Sequence, residues 1–290
     1  MDAFFYQLAA GIASGGVYAI VALALVMIYQ STGHVNFAQG EMAMFSTYIA
    51  WWLINEGVAY PIAFVGTVAF AFALGVAVER LAVRPMAQAP VMATVVLFIA
   101  LLMIFNSVAG WMFTYTIKAF PSPFPATPPF GQTYISAHEF GTIGVTVVVL
   151  ALLYSFFRFS SLGLAMRAAA QNPVSSRLVG INVGWMLALG WGVASAIGAV
   201  AGMMIAPKVY LDPNMMSGIL MYAFAAAILG GIDSPLGAVV GGFLVGILEN
   251  LVGTYIVGTE LKLSVALVLI VGVLIVRPAG LFGRPRLVKV

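Results

Sequence analysis

The chain carries, near its start, an uncharged stretch of membrane-spanning length. It reads AFFYQLAAGIASGGVYAIVALALVMIYQSTGHVNFAQG at residues 3–40. The hydrocarbon core of a bilayer is about 30 Å thick, so roughly 20 apolar residues cross it as a helix. Similar uncharged stretches lie between Arg84 and Lys118 and between Arg177 and Lys208. Of the 290 residues, 63% are hydrophobic and 7% are charged, whereas about 25% are charged in a typical soluble domain. The sequence therefore predicts an all-α, polytopic membrane protein.

The apolar runs predict about eight or nine transmembrane helices in a single membrane domain covering residues 1–290. The predicted spans are 5–30, 35–55, 60–78, 91–110, 139–157, 184–206, 215–232, 235–257 and 263–276. The segment 215–232 meets the next one at Asp233-Ser234-Pro235, and a re-entrant half-helix is an alternative for it.

Basic residues predict the orientation of the chain. Nine of the twelve basic residues fall in three segments, and a chain that crosses the membrane nine times has all three segments on the same face. These residues are Arg80 and Arg84 in the first segment, Arg158, Arg167 and Arg177 in the second, and Arg277, Arg284, Arg286 and Lys289 in the third. Cytoplasmic loops are enriched in Lys and Arg. We therefore expect the N-terminus outside and the C-terminus in the cytoplasm, with Lys118, Lys208 and Lys262 as outward exceptions. The net charge of +3 is accounted for by these loops, and we expect no nucleic-acid partner.

Two stretches of the chain share an organisation that predicts an inverted repeat. A span rich in glycine at 11–19 is followed by a polar break at 31–36, and a second such span at 190–202 is followed by a break at 208–214. The predicted topology makes the first span run inward and the second outward. Inverted repeats with interrupted helices build transport pathways. Close helix packing is the alternative explanation for most of these glycines.

The sequence shows almost no residue pattern that is typical of an enzyme. It contains no cysteine, which excludes thiol catalysis and cysteine-ligated metals. It also contains no G-x-x-x-x-G-K-[ST] loop, so it cannot bind ATP in the P-loop manner. His34 and His138 are far apart in the sequence, and no histidine–carboxylate cluster has the spacing of metal ligands. We expect neither an enzyme nor a bound metal or cofactor.

A basic loop at about 158–183 differs in composition from the apolar spans around it. Its sequence GLAMRAAAQNPVSSRLVGIN, at residues 163–182, favours helix, and Pro173 can begin a second short helix that Gly180 ends. Two short helices on the cytoplasmic face would offer a contact for a soluble partner. An ordinary surface helix is the alternative.

Four segments carry a resemblance to a known family. They are Gly15–Ala19 with Asn36–Glu41, Arg167–Asn182, Ala226–Ala238 with Gly241 and Gly242, and Arg277–Pro285. In these the chain resembles the LivH-type permeases of branched-chain amino-acid ABC importers. Gln39 is a departure, because these permeases often have His there.

The resemblance implies an assembly in the bacterial inner membrane. Such a permease pairs with a second, paralogous permease, two cytoplasmic ATPase subunits that bind ATP and Mg, and a periplasmic solute-binding protein. The loop is similar to the coupling helices that contact the ATPase, which implies this role for Gly163, Arg167, Gln171, Asn172, Pro173, Arg177 and Gly180. Branched-chain amino acids are the implied substrates, and relatives that move urea or short amides are the alternative.

Polar residues inside apolar spans predict the translocation path, because such residues are costly in a membrane and face cavities or partners. The candidates are Asn36, Gln39 and Glu41 at the first break, Tyr210, Asp212 and Asn214 at the second, and Glu249. Four of them have an alternative: a helix N-terminal charge for Glu41, a turn or cap for Asp212 and Asn214, and a contact with the paired permease for Glu249. An ion-coupled secondary transporter is the rival function, with Glu249 as its one clear ion-binding candidate.

Overall fold

The computed structural model of the chain describes residues 2–125, 127 and 135–283. Its α-helices are α1 Asp2–Thr32, α2 Gln39–Asn55, α3 Tyr60–Val78, α4 Val91–Phe113, α5 Ala137–Phe159, α6 Ser161–Gln171, α7 Pro173–Leu178, α8 Val183–Val209, α9 Met215–Gly230, α10 Pro235–Val252 and α11 Lys262–Val276. The predicted all-α, polytopic architecture is confirmed. The basic residues Arg284, Arg286 and Lys289 and the C-terminus lie outside the described residues.

Six helical stretches in the described part of the chain are long and apolar enough to cross a membrane. They are Ala3–Thr32, Tyr60–Met86, Val91–Phe113, Ala137–Phe159, Val183–Val209 and Pro235–Val257. Helices α9 and α11 are apolar but shorter, and α2 has 17 residues. The predicted count of eight or nine crossings and the alternatives for 215–232 therefore stay predictions.

The repeat predicted from the two breaks is present in the order of the elements. Helices α1 and α8 are each followed by a short non-helical break and then by a short helix, α2 or α9. The next helices, α3 and α10, each continue into a five-residue π-helical segment, Glu79–Val83 and Gly253–Val257. A three-residue 3₁₀ turn and an apolar helix, α4 or α11, follow in both cases. The inversion of one half relative to the other stays a prediction.

The chain forms two compact units, and each is described by itself. The first comprises Met1–Val26, Pro121–Val147 and Ser217–Val290, and the second Met27–Phe120 and Val148–Met216.

In the first unit, α1 and α10 cross through small residues. A methyl group on Gly11 would lie 2.9 Å from the Cα of Ile247, and one on Gly15 would lie 2.9 Å from the Cα of Phe243. Only glycine permits backbones to approach so closely, as in small-xxx-small crossings of membrane helices. These two glycines therefore serve helix packing, which is the alternative explanation given above for the glycines of the repeat.

Two of the segments that carry the family resemblance pack on each other in the first unit. The N–H groups of Leu281 and Phe282 donate to the carbonyl oxygens of Leu229 and Gly230, at 2.8 and 2.9 Å. Gly231 has a φ of +105°, a conformation that side chains disfavour. The Gly-Gly turn and the Pro-Ala-Gly-Leu-Phe-Gly segment are thus one structural feature.

The second unit is organised around α8. Gln39 contacts Ala194 and Thr47 lies beside Gly202, so α2 runs parallel to α8. The rings of Phe98 and Trp191 are 5.9 Å apart, and the ends of α4 and α8 lie together. Helix α4 is therefore parallel to α8 as well.

Helix α3 runs the other way in the same unit. Gly75 packs against Trp191, whereas Arg84, just beyond α3, lies beside Gly184 near the start of α8. The alternation of α2, α3 and α4 agrees with successive crossings of a membrane.

The ends of α4 and α8 are shaped alike. Thr114 and Tyr210, the residues that follow these helices, have φ values of +67° and +64°. Beyond them Lys118 and Leu211 form an isolated antiparallel bridge with two 2.9 Å hydrogen bonds. The Lys118 ammonium lies 4.7 Å from the centre of the Trp51 ring, which is a cation–π contact.

Candidate translocation and coupling sites

The first break separates the end of α1 from the start of α2, which lies part-way along α8. Helix α1 ends at Thr32, and Gly33 adopts a φ of +72°. The Asn36 side chain accepts the Ala38 N–H at 3.0 Å, so the helix begins at Gln39 rather than near residue 35 as the predicted span had it.

The depth of this start follows from Gln39. Its Nε2 donates to the carbonyl oxygen of Ala194 at 3.0 Å, which lies about 16 Å along α8 from Val183 at 1.5 Å per residue. Gln39 and Asn36 are both fully buried. Helix α2 therefore begins part-way along a spanning helix, as the interrupted helices of transporters do.

The second break ends in a similar way. The Asp212 carboxylate accepts the Asn214 N–H at 2.6 Å, and its carbonyl oxygen accepts the Met215 N–H at 3.1 Å. Asp212 thus forms a turn that begins α9, which is the alternative explanation stated for it above.

Asn106 of α4 joins the two helix starts. Its Nδ2 lies 2.9 Å from the Pro213 carbonyl oxygen, 3.1 Å from Asn214 Oδ1 and 3.4 Å from Glu41 Oε2. The Tyr115 hydroxyl donates to Asn106 Oδ1 at 3.3 Å. An amide nitrogen carries two N–H groups, so these three acceptors share two donors. Glu41, at the longest distance, is the least firmly bonded.

The structure thus brings together some of the predicted path residues and separates others. Glu41, Asp212 and Asn214 lie around Asn106. Asn36 and Gln39 lie at the start of α2, the helix that carries Glu41. Tyr210 lies apart from them, 58% exposed at the end of α8. Asn106 was missed, although one asparagine inside the apolar run of α4 was a usable signal.

Glu249 belongs to a separate cluster in the first unit. The Tyr18 hydroxyl donates to Glu249 Oε2 at 2.9 Å, and the Tyr18 ring stacks on that of Tyr222 at 4.9 Å. Lys262 Nζ lies 3.7 Å from Glu249 Oε1 and donates to Asn250 Oδ1 at 3.3 Å. The carboxylate is therefore ion-paired with Lys262, one of the three lysines predicted to be exceptions to the charge rule.

The basic loop forms the two short helices that the sequence predicts. The Ser160 hydroxyl accepts the N–H groups of Leu162 and Gly163 and caps α6. Asn172 Oδ1 accepts the Ser175 N–H at 3.0 Å and caps α7, which begins at Pro173. Gly180, with a φ of +84°, follows the end of α7.

Most of the predicted coupling residues are exposed on this pair of helices. One face of α6, with Gly163, Met166 and Ala169, is buried, and α6 packs on α8. The exposed members of the predicted set are Arg167, Gln171, Asn172, Pro173, Arg177 and Gly180. Gly163 differs, because a methyl group there would lie 2.8 Å from the Phe157 Cα, so this glycine serves the packing of α6.

Apolar side chains are also exposed on this surface. Leu164, Val174, Leu178 and Val179 are 60–84% exposed. Arginines beside exposed aliphatic residues are typical of a surface that another protein covers.

Interrupted helices that begin inside a membrane-spanning bundle and a capped helix pair outside it define a membrane permease. A sequence model of the family described as the branched-chain amino acid transport system permease component matches residues 7–274. The chain therefore belongs to this family, and it is a permease subunit of an ABC importer.

Curated relatives match the chain over nearly its whole length. The high-affinity branched-chain amino acid transport system permease protein LivH of Escherichia coli K12 is 32% identical, covering 99% of this chain and 98% of LivH. The permease protein BraD of Pseudomonas aeruginosa is also 32% identical, with the same coverage. A probable LivH of Methanocaldococcus jannaschii is 26% identical over 91% of this chain and 88% of its own.

One solved structure has a related fold. A chain of PsaBC from Streptococcus pneumoniae, determined in complex with Fab, superposes with a TM-score of 0.51 at 13% identity, covering 93% of this chain and 91% of that one. At this identity the likeness concerns the fold alone.

Proposed function

We propose that this permease carries branched-chain amino acids across a bacterial inner membrane, with its N-terminus outside and its C-terminus in the cytoplasm. The observation that carries the proposal is the cluster around Asn106, where two interrupted helices begin beside a buried carboxylate. The names of the curated relatives support branched-chain amino acids as the cargo.

Glu41 is the residue of this cluster suited to an amino acid. Its side chain is 5% exposed, and among the described residues it forms no ion pair. A buried carboxylate is costly unless a cation or donors compensate it. The ammonium group of a passing amino acid provides that compensation, whereas urea and short amides carry no cation. This is the physical reason for preferring amino acids.

The α6–α7 surface is the proposed contact with the ATPase subunits. Its arginines, Arg167 and Arg177, are exposed together with aliphatic side chains, and α6 is fixed to α8. Movement of the ATPase pair is thereby transmitted to α8, whose far end carries the break that begins α9. A second, paralogous permease and a periplasmic solute-binding protein complete the proposed assembly, and ATP and Mg bind the ATPase subunits.

The rival function, ion-coupled secondary transport, has less support. Its one clear candidate in the sequence was Glu249. That carboxylate is paired with Lys262, accepts a hydrogen bond from Tyr18 and is 7% exposed.

The test is uptake by the complete importer with its cognate binding protein, reconstituted in proteoliposomes that contain ATP. We expect accumulation of radiolabelled L-leucine, L-isoleucine or L-valine, and none of urea or acetamide. Accumulation of urea or acetamide in preference to the amino acids would contradict the proposed cargo.

A further inference from the structure

The second unit contains a cavity that shares only Arg177 with the candidate site residues named above. Its volume is about 770 Å³, within the range of roughly 300–1,000 Å³ that small-molecule sites occupy. It lies where α1 ends, α3 gives way to α4, and α8 begins. Arg84 and Arg177 line it, so in the proposed orientation this is the cytoplasmic end of the unit.

One wall of the cavity holds a buried carboxylate that has an unbonded oxygen. Glu79 is 4% exposed, and its Oε2 has no hydrogen-bond partner within the described part of the chain. Among those residues it also forms no ion pair within 4.0 Å. Arg84 and Arg80 act on it electrostatically from beyond that distance. Burial of a carboxylate is costly unless hydrogen bonds or a cation compensate it. A cationic group of a ligand in the cavity supplies the direct contact that neither arginine makes.

The arginines on the wall offer the opposite charge. The Arg84 guanidinium lies against Gly184, where a methyl group would be 2.8 Å from Nη2. Arg84 has no ion pair among the described residues, whereas its neighbour Arg80 lies 3.4 Å above the ring of Trp185. Guanidinium groups bind carboxylates with two parallel hydrogen bonds.

The remaining lining is partly apolar. Val83, Leu187 and Trp191 line the cavity, and the buried indole Nε1 of Trp191 has no acceptor among the described residues. The cavity therefore offers a carboxylate for an ammonium group, a guanidinium for a carboxylate, and an aliphatic and aromatic wall for an apolar side chain. These are the three features that an apolar α-amino acid requires.

We infer that this cavity binds the zwitterion of an apolar α-amino acid, with its ammonium group at Glu79 and its carboxylate at Arg84. The inference rests on the proposed cargo, and it adds a cargo site at the cytoplasmic end, distinct from the cluster around Asn106. A phosphatidylethanolamine headgroup offers the same pair of charges, so the test distinguishes the two sources.

The test uses the full-length permease in nanodiscs of phosphatidylcholine and phosphatidylglycerol, without the binding protein, in calorimetric titrations. We expect L-leucine to bind at least about tenfold more tightly than leucinamide, which lacks the carboxylate, or 4-methylpentanoate, which lacks the ammonium. Glu79→Gln weakens L-leucine about tenfold and does not weaken 4-methylpentanoate, because the variant keeps Arg84 and loses only a negative charge. Glu56→Gln, at an exposed turn, is the matched control and has no effect.

A second variant tests the arginine without removing a charge. The methyl group of Gly184→Ala displaces the Arg84 guanidinium, so we expect weaker L-leucine binding and unchanged leucinamide binding. If L-leucine fails to bind, or binds both variants as it binds the wild type, the inference is overturned.

The lipid alternative and the proposed function have separate readouts. If native mass spectrometry shows phosphatidylethanolamine bound to the wild type and absent from Glu79→Gln, and this lipid abolishes L-leucine binding, the cavity is a headgroup site and the amino-acid assignment is wrong. Uptake by the complete importer is measured in parallel. Its failure contradicts the proposed function, whereas intact uptake without binding contradicts only this inference.

Discussion

The side-chain amide of Asn106 donates to the Glu41 carboxylate over 3.4 Å, and the same nitrogen reaches the residues that begin α9. One side chain of α4 thus connects the starts of both interrupted helices. Because both starts share the hydrogen bonds of Asn106, a displacement of one start changes the hydrogen bonds of the other. The two helices are nevertheless far apart in the sequence.

Replacement of Asn106 by alanine tests this connection. The variant leaves Glu41, the Pro213 carbonyl and Asn214 without their shared donor, at a cost of about 1–3 kcal/mol. We expect ATP-dependent uptake of L-leucine to fall about tenfold or more in proteoliposomes. Ser107→Ala, at the exposed neighbouring position, is the control, and equal uptake by both variants would refute the role of Asn106.

Charge reversal at Arg167 tests the contact with the ATPase. The Arg167→Glu variant should abolish uptake and reduce co-purification of the ATPase subunits, because the side chain is exposed on α6 and does not support the fold. Arg158→Glu reverses a charge at the end of α5, outside the α6–α7 pair, and should retain both properties. Retained co-purification and uptake in Arg167→Glu would remove the coupling role.

The Glu249–Lys262 pair predicts a stability difference. Lys262→Met removes the cation beside Glu249, and breaking a fully buried pair costs about 3–5 kcal/mol. Lys262 keeps 23% of its side chain exposed, so we expect a smaller loss of about 1–3 kcal/mol in the free energy of unfolding. The double variant Glu249→Gln, Lys262→Met should recover much of it in thermal unfolding. A double variant less stable than Lys262→Met would contradict the pairing.

The crossing of α1 and α10 predicts which glycines tolerate a methyl group. In Gly242→Ala the new Cβ meets the backbone of Ala19, and such overpacking costs about 1–3 kcal/mol. Gly218→Ala is the matched control, because nothing lies within 4 Å of the added carbon. We expect a lower unfolding temperature for the first variant alone. Equal temperatures for both would show that the crossing is looser than described.

The helices were predictable from the sequence because a membrane span leaves a long apolar run. The boundaries of α4 and α11 fall close to the predicted ones, and the helix pair α6–α7 was predicted from Pro173 and Gly180. The start of α2 was not, because its place depends on the Asn36 side chain and on the contact of Gln39 with α8. The polar break at 31–36 was recognisable, but the sequence does not show that the helix begins only at Gln39.

The candidate sites were predictable in part. The polar residues at the two breaks were recognisable, but their meeting point, Asn106, lies on a third helix. Lys262 looked like an exception to the charge rule, since a sequence does not show that α10 and α11 place it beside Glu249. The bond between Tyr18 and Glu249 joins residues 231 positions apart. Such contacts are set by tertiary packing. The assigned path and coupling residues stay predictions until these variants are measured.

We propose that this permease has no energy source of its own and is driven by ATPase subunits bound at α6–α7. The most direct measurement compares amino-acid accumulation in two sets of proteoliposomes. We predict that the complete importer accumulates L-leucine only with ATP, and that the permease alone accumulates none under a proton or sodium gradient. Accumulation by the permease alone, driven by an ion gradient, would contradict the account.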